Sequence, residues 1–595
     1  MRRPRNSALS GPRGIIRRRF AHHLARAALP ASLRASIVCG SVPDQGAVAP
    51  DRGVDVVGRH TKLVRRTALV SALTLASRIL GYVRESLAAA VFGDKSAIND
   101  AFVTAWRVPN LFRSLMGEGA MATAMQSALT RTDAEQGEEA GRRLFLAILR
   151  TVAWFSAGFC ALGMLIVLVL PDVMPFTGWP WLGSDPGPVR ELTARMLPFV
   201  IFACIAAVAG GALHVRGHFL APSLGPVVMN VAWVGALAWV ATKHAQDLAN
   251  GPPGFDAQFS MARELATLVL VCGALLVLVQ VPALRENGLL TRRAGTEHAP
   301  NVRWGEVWTI LRSSAPLAIG AAVYQVNVLV DGFMAESLLA NGGPTALYYA
   351  TRLQQLPLSL VSIAATSAVF PALTALGHVR DMGALRKLHD ETHLAIAFLA
   401  IPATIGLMLF AGPIVAACFQ HGAFGEEGVA RTSDGLRALT LAILPAGAAG
   451  LVARARYALG DFAGPVRIAI AMLVMNSILN VVFVVGFDMD VGGLGVATAI
   501  TSWCNLALLL PGLRRLGAPS TTPGLARRLV RITAVAAVAC GAGWVGAETI
   551  LGVMSPLIRV AVAILVSTTL YIGGMALLRA PELNRFWDQL TRRAR

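Results

Sequence analysis

Fourteen long apolar stretches, separated by short polar breaks, run through the chain between about residues 66 and 578. Each holds about the twenty mainly apolar residues that a helix needs to cross a bilayer. The chain is 55% hydrophobic and only 15% charged, whereas soluble globular proteins carry about 25% charged residues. We therefore predict an all-α polytopic membrane protein with about fourteen transmembrane helices. The stretches are 66–91, 97–117, 144–170, 190–213, 222–242, 261–281, 309–338, 345–374, 386–411, 429–452, 467–486, 493–512, 532–551 and 558–578.

The basic residues predict the orientation of these helices. Loops that follow even-numbered stretches hold 18 Lys and Arg, whereas the alternate loops hold only two, Lys95 and Lys243. Cytoplasmic loops of membrane proteins are enriched in Lys and Arg. The alternation therefore predicts that both termini are cytoplasmic, which requires an even number of spans.

The predicted spans and the distribution of charge divide the chain into segments. Residues 1–66 hold 14 basic and 3 acidic residues, which places +11 of the net charge of +19 there. The net charge therefore does not require a nucleic-acid partner, and no phosphate-binding glycine loop or basic recognition helix is present. We predict a disordered basic extension (1–62), an N-terminal lobe of helices 1–6 (63–282), a cytoplasmic linker (283–304), a C-terminal lobe of helices 7–12 (305–515), helices 13 and 14 (516–580) and a cytoplasmic basic tail (581–595).

Catalytic chemistry has no evident basis in the sequence. The seven cysteines stand singly, without a CxxC pair, and the 11 histidines form no metal-binding motif. The loops are too short for a separate catalytic domain, and no nucleophile–base constellation is evident. We therefore expect no enzyme activity, no resident metal and no cofactor.

Charged residues inside the predicted spans mark candidate functional positions. Stretch 1 contains Ser77, Arg78 and Arg84, and the two arginines lie about 120° apart around a helix. A charge near the middle of a span costs about 2.5–3.5 kcal/mol on insertion scales, so it normally faces water or a partner. The structural alternatives for Arg84 are snorkelling to the interface and an ion pair with Glu85 or Asp100.

Stretches 2 and 8 add further polar groups. Asn110 and Arg113 are three residues apart and share a helix face, and Arg352 lies early in stretch 8. Snorkelling to the interface is the alternative for Arg113. Cations from stretches 1, 2 and 8 together predict an electropositive cavity within the bundle. Because the arginine fork suits phosphate, the favoured ligand is an anionic lipid headgroup whose tail stays in the membrane.

Polar residues also occur in stretches 7 and 11. Asp331 lies in stretch 7, and Asn476 and Asn480 lie four residues apart in stretch 11. An ion pair between Asp331 and Arg352 and a simple helix-joining role for the asparagines are the structural alternatives.

Three sequence blocks resemble the MurJ/MviN family of lipid II flippases, within the multidrug/oligosaccharidyl-lipid/polysaccharide exporter superfamily. The blocks are Ser77 to Glu85, then Asp100-Ala101-Phe102 with Pro109 to Arg113 and Gly117 to Ala120, and finally Tyr348 to Pro357. The resemblance covers roughly residues 65–580. It implies two six-helix lobes around a central cavity, with the last two helices forming a groove for the lipid tail.

The resemblance also implies a function and a site. The function is transfer of undecaprenyl-diphosphate-linked disaccharide-pentapeptide across the bacterial inner membrane by alternating access, without covalent chemistry. An ion such as sodium or the membrane potential would drive it, and Asp331, Asn476 and Asn480 are the implied ion ligands. Besides lipid II, the expected partners are membrane lipids and the cell-wall synthesis machinery, and the chain is expected to be a monomer. The implied substrate-binding residues are Ser77, Arg78, Arg84, Asp100, Asn110, Arg113, Glu118 and Arg352.

Other functions remain open from the sequence. A flippase for another polyprenyl-linked glycan would also need a cationic cavity. A cation-coupled drug antiporter of the same superfamily would favour an acidic, aromatic cavity instead. A membrane scaffold for cell-wall enzymes, without transport, would tolerate substitution of the buried arginines.

Overall fold

A computed structural model describes the chain in segments: 56–117, 120–169, 187–249, 253–291, residues 305, 308 and 323, 325–359, 364–516, 524–550 and 555–584. Residues 1–64 form a unit separate from 65–595. Of that small unit only the last residues, 56–64, are described, and they are helical. The predicted extension 1–62 and tail 581–595 therefore lie mostly outside the described residues.

The N-terminal lobe is built from helices throughout its described part. Most of them pack against one another, and short connections join several neighbours. The helices are α1 (Val56–Phe92), α2 (Ala97–Gly117), α3 (Ala120–Gln136), α4 (Glu138–Val169), α5 (Gly187–Met196), α6 (Phe199–Val215), α7 (Leu220–Lys243), α8 (Ala245–Ala249), α9 (Phe255–Leu278) and α10 (Val281–Glu286).

The C-terminal lobe has the same all-helical character. One helix, α18, continues through a π-helical turn, Val482–Gly486. The helices are α11 (325–338), α12 (Gly343–Pro357), α13 (Ala364–Val379), α14 (Met382–Leu409), α15 (Ala411–Phe419), α16 (Glu426–Thr440), α17 (Ile443–Ala458), α18 (Ala463–Val481) and α19 (Val491–Arg515).

Two further helices follow the C-terminal lobe. They are α20 (Leu525–Ile550) and α21 (Pro556–Leu577), which pack on each other. Helix α20 also packs on α14, and α21 packs on α15. Both expose many large apolar side chains, as helices in contact with lipid do.

Ten helical segments of the described chain are long and apolar enough to cross a membrane. They correspond to ten of the fourteen predicted stretches. In the other four stretches the described residues are also helical, in α1, α2, α11 and α12–α13. These helices fall outside the ten because they carry charged residues or because their uninterrupted length is short. The all-α membrane fold is therefore confirmed, whereas the count of fourteen stays a prediction.

Aromatic packing fixes the middle of α2 inside the N-terminal lobe. Trp106 is 3% exposed and makes edge-to-face contacts with Phe199 (5.0 Å) and Trp233 (4.6 Å). Pro109 follows within the helix, where it removes a backbone hydrogen bond. The helix therefore presents Asn110 and Arg113 from a segment that is held rigidly by its neighbours.

The two lobes meet where α1 ends and α2 begins, in a region that we call the interlobe contact: residues 90–107 against 328–345 and 421–428. The Ala423 N–H donates to the Ala90 carbonyl at 2.9 Å, and the Gly428 N–H donates to Asp94 Oδ2 at 2.8 Å. A Cβ on Gly422, which has φ of +59°, would lie 2.6 Å from the Ala90 oxygen. Glycine therefore allows the two backbones to approach closely.

Charged side chains reinforce this contact. Lys95 Nζ lies 2.5 Å from Glu427 Oε2 at an exposed position. The Thr104 hydroxyl donates to Glu336 Oε2 at 2.7 Å in a more buried position. The lobes are thus joined both at the rim and inside the contact.

Candidate functional site

A cavity of about 320 Å³ lies between the lobes, next to the interlobe contact. Helices α1, α2 and α7 line it from the N-terminal lobe, and α11, α12 and the residues after α12 line it from the C-terminal lobe. Its polar lining residues are Ser77, Arg78, Tyr82, Arg84, Glu85, Asn110, Arg113, Ser114, Asn230, Gln325, Arg352, Gln355 and Ser359. The structure therefore brings together six of the eight predicted substrate-binding residues.

Arg84 is held from three directions and is 7% exposed. Its guanidinium pairs with the neighbouring Glu85, donates to Asn230 Oδ1 at 3.3 Å and lies 4.5 Å from the centre of the Trp233 ring. The ion pair between Arg84 and Glu85, one of the structural alternatives from the sequence, is therefore present. Both residues of this pair line the cavity. Cation–π contact and hydrogen bonding together fix the direction of the arginine fork.

Arg78 and Ser77 are oriented by partners from different lobes. Arg78 Nη1 donates to the Ser359 hydroxyl at 2.7 Å, which links α1 to the C-terminal lobe. Asn230 Nδ2 donates to the carbonyl of Ser77 at 2.9 Å and to its hydroxyl at 3.2 Å. Asn230 thus positions both Ser77 and Arg84.

Arg113 and Asn110 interact along one face of α2, as their spacing predicts. Arg113 donates to Asn110 Oδ1 from Nε at 3.2 Å and from Nη2 at 3.0 Å. The amide oxygen therefore orients the guanidinium of a residue that lines the cavity.

Arg352 is the contribution of the C-terminal lobe. Its Nη2 donates to the Tyr348 hydroxyl at 2.8 Å, and that hydroxyl donates to Glu85 Oε1 at 2.8 Å. Tyr82 on α1 donates to the Arg352 carbonyl at 3.1 Å. This network joins the lobes across the cavity and uses Glu85 rather than Asp331 as the acid nearest to Arg352 (3.8 Å).

Four arginines and one glutamate leave the charged lining with a net charge of +3. Inside a protein, charges interact more strongly than in water. The arginines come from both lobes, so one anion could contact both lobes at once. The arrangement suits a ligand with several negative oxygens, such as a diphosphate.

Asp100 does not line the cavity. Its carboxylate accepts hydrogen bonds from the Gly342 N–H (2.5 Å), the Thr345 N–H (2.9 Å) and the Thr345 hydroxyl (2.6 Å). It therefore caps the start of α12 from the other lobe, because the first N–H groups of a helix lack partners within that helix. In this structure Asp100 thus lies outside the cavity lining, and its role in substrate binding stays a prediction. Glu118 lies outside the described residues.

The three predicted ion ligands lie together in the C-terminal lobe. Asn480 Nδ2 lies 2.8 Å from Asp331 Oδ1 and 3.3 Å from Asn476 Oδ1. Asn327 donates to the other Asp331 oxygen at 3.0 Å. The oxygen atom of the Asn480 amide is buried and has no hydrogen-bond partner among the described residues.

Two residues that line the cavity, Asn230 and Ser359, and the adjoining Tyr348 were not among the predicted site residues. Asn230 is a single amide in the otherwise apolar stretch 222–242, which is the signal that could have found it. Tyr348 stood within a recognised block but was given no role. No sequence pattern marks Ser359, because its role depends on the position that the Arg78 side chain takes in the folded protein.

Comparisons with known proteins agree with this architecture. The family model described as "Lipid II flippase MurJ" matches residues 88–569. The lipid II flippase MurJ of Burkholderia cenocepacia is 29% identical over 485 residues, covering 80% of this chain and 89% of the relative. A probable lipid II flippase MurJ of Vibrio cholerae is 30% identical over 490 residues, covering 81% of this chain and 88% of the relative.

Solved structures show the same fold. A lipid II flippase MurJ in an inward closed conformation matches with a TM-score of 0.66 and 20% identity, covering 86% of this chain and 99% of that chain. An inward-facing multidrug resistance transporter of the MATE family matches with a TM-score of 0.59 and 14% identity, covering 76% and 98%. At these identities the structures support the fold alone. The family model and the sequence relatives go further, and this chain belongs to the MurJ family of lipid II flippases.

Proposed function

We propose that this protein is a lipid II flippase of the bacterial inner membrane. It carries the undecaprenyl-diphosphate-linked disaccharide-pentapeptide from the inner to the outer leaflet. The observation that carries the proposal is the convergence of Arg78, Arg84, Arg113 and Arg352 on one cavity between the lobes. The names of the curated relatives support the same substrate.

The arginines recognise the diphosphate. Arg84 and Arg352 are preorganised by Glu85, Trp233 and Tyr348, so little side-chain entropy is lost on binding. Among the described residues, Arg78 is held by the Ser359 hydroxyl, which a phosphate oxygen can replace. An ion pair with phosphate would be stronger than that neutral hydrogen bond.

The headgroup moves by alternating access of the lobes. The cavity volume of about 320 Å³ lies at the lower end of the usual range for ligand sites, so a disaccharide-pentapeptide requires the lobes to lie farther apart. On the predicted orientation, with both termini cytoplasmic, the interlobe contact lies at the outer side of the membrane. Headgroup entry from the inside, opening of the interlobe contact and exit to the outside then complete one transfer, while the tail stays in lipid.

A coupling ion fits the cluster in the C-terminal lobe. Asp331, Asn476 and Asn480 offer carboxylate and amide oxygens, the ligands that hard cations such as sodium prefer. The Asn480 amide oxygen, which has no hydrogen-bond partner in the part of the chain that the structure describes, is available as a ligand. The membrane potential is the alternative source of energy, at about 2.3 kcal/mol per charge per 100 mV. With either energy source, transfer needs no covalent chemistry. We further propose that the chain acts as a monomer and that both of its termini are cytoplasmic.

Complementation of a conditional lipid II flippase mutant tests the function. The intact chain and a chain that begins at Lys62 should both restore growth, whereas Arg78→Ala should not, although it reaches the membrane in equal amount. Arg78→Lys should rescue in part, because it keeps the charge but loses the fork. Arg263→Ala is the matched control, since Arg263 pairs with Glu191 outside the cavity and its loss should leave growth intact.

The outcomes separate the rival functions. Failure of the well-expressed intact chain would favour another polyprenyl-linked glycan as substrate. Normal growth with Arg78→Ala would contradict diphosphate recognition and favour a scaffold without transport. A drug antiporter is disfavoured by the cavity itself, because four arginines repel cationic drugs.

A further inference from the structure

Arg107 lies in the interlobe contact and outside the substrate cavity. It belongs to α2 and is 8% exposed. Among the described residues of the C-terminal lobe, its guanidinium donates long hydrogen bonds to the Val328 carbonyl at 3.5 Å and the Pro344 carbonyl at 3.4 Å. Its Nε has no hydrogen-bond partner among the described residues. A buried charge with such weak partners requires compensation from nearby acids.

The guanidinium lies directly on helix α11. A Cβ added to Gly332 would fall 2.3 Å from Arg107 Nε and 2.4 Å from Arg107 Cζ. The residue before Gly332 is Asp331, and the residue one turn later is Glu336. Both acids are therefore close in sequence to the residue on which the guanidinium packs, and their opposite charge favours the cation there. The glycine therefore makes room for the cation against the helix that carries the proposed ion site.

The other contacts of Asp331 are neutral. Its two carboxylate oxygens meet the amide groups of Asn480 and Asn327. Arg107 of the opposite lobe packs on the adjacent residue, Gly332. The carboxylate thus has neutral amides as its hydrogen-bond partners, and a cation from the other lobe lies against its own helix.

We propose that Arg107 is a built-in competitor for the ion at Asp331. Without a bound ion, the guanidinium neutralises Asp331 and holds α2 of the N-terminal lobe against α11. A sodium ion at Asp331, Asn476 and Asn480 neutralises the carboxylate instead, and the hold on Arg107 weakens. Arg107 is then the positioning residue that converts ion binding in one lobe into loosening of the interlobe contact. This inference rests on the proposed function, which assigns the ion to that cluster.

Sodium binding to the purified full-length protein tests this competition. Isothermal titration in detergent, with choline chloride holding the ionic strength constant, compares the wild type with Arg107→Gln and Arg107→Lys. Because a neighbouring positive charge is removed, Arg107→Gln should bind sodium about tenfold or more tightly. Arg107→Lys should stay near the wild type, since it keeps the charge. Arg263→Gln is the control, because it removes an arginine that lies outside this region.

A second readout follows the interlobe contact itself. Cysteines replacing Lys95 and Glu427, whose charged groups are 2.5 Å apart, are cross-linked in a background without the native cysteines. Sodium should slow cross-linking in the wild-type background. In the Arg107→Gln background the rate should be low and should no longer respond to sodium.

The outcomes distinguish this inference from the function on which it rests. Equal sodium affinity of the wild type and Arg107→Gln would overturn the competition alone. The same holds if Arg107→Lys behaves like Arg107→Gln, because the guanidinium contacts rather than the charge would then matter. Binding that survives Asp331→Asn, or no binding by any variant, would overturn both the ion site and its competitor. Binding by Arg107→Gln alone would support the competition in its strongest form.

Discussion

The substitution Asp100→Asn should open the interlobe contact. Asp100 caps α12 from α2, so its hydrogen bonds exist only while the two lobes are together. Asparagine keeps one acceptor oxygen but turns an NH2 group toward a backbone or hydroxyl donor. The variant therefore loses stability specifically in the closed arrangement, whereas each lobe keeps its own internal packing.

The size of the effect follows from the contacts. The carboxylate accepts three hydrogen bonds, at 2.5, 2.9 and 2.6 Å. A hydrogen bond to a charged group contributes about 1.5–3 kcal/mol, and loss of a helix N-cap costs about 1 kcal/mol. A net loss of about 2 kcal/mol is expected, because asparagine retains part of the cap. That value corresponds to a shift of about thirtyfold in the ratio of closed to open protein.

Cross-linking between cysteines at positions 95 and 427 measures this shift. The initial rate should fall strongly in Asp100→Asn. The control is Asp381→Asn, since Asp381 caps α14 by accepting from the Ala384 N–H at 3.0 Å within the C-terminal lobe. Asp381→Asn should lower thermal stability slightly and leave cross-linking unchanged. An unchanged rate in Asp100→Asn, or an equal fall in both variants, would refute the reasoning.

Two further predictions concern the cavity and the inner loops. Asn230→Ala should lower flippase activity about tenfold without changing the amount of protein, because Ser77 and Arg84 lose the amide that positions them. Partial rescue by Asn230→Gln would separate positioning from folding. Wild-type activity in Asn230→Ala would contradict this prediction. Asp461 lies in a loop. Burial alone would raise its pKa, but the hydrogen bonds from Arg456 and from the Gly464 N–H outweigh that effect. The pKa of Asp461 is therefore lowered from its usual value of 3.8. A carboxyl group whose pKa is lower in the folded state stabilises the protein at pH values above the unfolded pKa. This stabilisation is lost as the pH falls through the folded pKa. The melting temperature of the wild type should therefore exceed that of Asp461→Asn at neutral pH, and the gap should close below about pH 4; a gap that persists at low pH would contradict this pair.

The membrane fold was predictable from the sequence because long apolar helices follow directly from bilayer thickness. The cavity arginines were also predictable, since a charge in an apolar stretch must face a partner or water. Arg113 and Asn110 interact as their spacing indicates, because both lie on one helix and no other element decides the geometry.

The role of Asp100 was not predictable in the same way. Its position in a family block suggested substrate contact, but its partners, Gly342 and Thr345, are more than 240 residues away in the sequence. Helical periodicity identifies which residues share a face, and it says nothing about which face meets a distant turn. Ser359 escaped detection for the same reason.

Glycines at the interlobe contact show a similar limit. Gly332 and Gly422 look like ordinary small residues in an apolar chain. The structure shows that a Cβ at either position would strike the opposite lobe. Their meaning depends on the close approach of two surfaces, which a single sequence does not reveal.

The central claim is that the cationic cavity carries lipid II to the outer leaflet. The most direct measurement is the amount of lipid II exposed at the outer face of cells depleted of their own flippase, detected with an enzyme that cleaves lipid II only from outside. If the cavity arginines carry the diphosphate, the wild-type chain restores cleavage and Arg78→Ala, at equal abundance, does not. Restored cleavage with Arg78→Ala, or no cleavage with the wild-type chain, would contradict it.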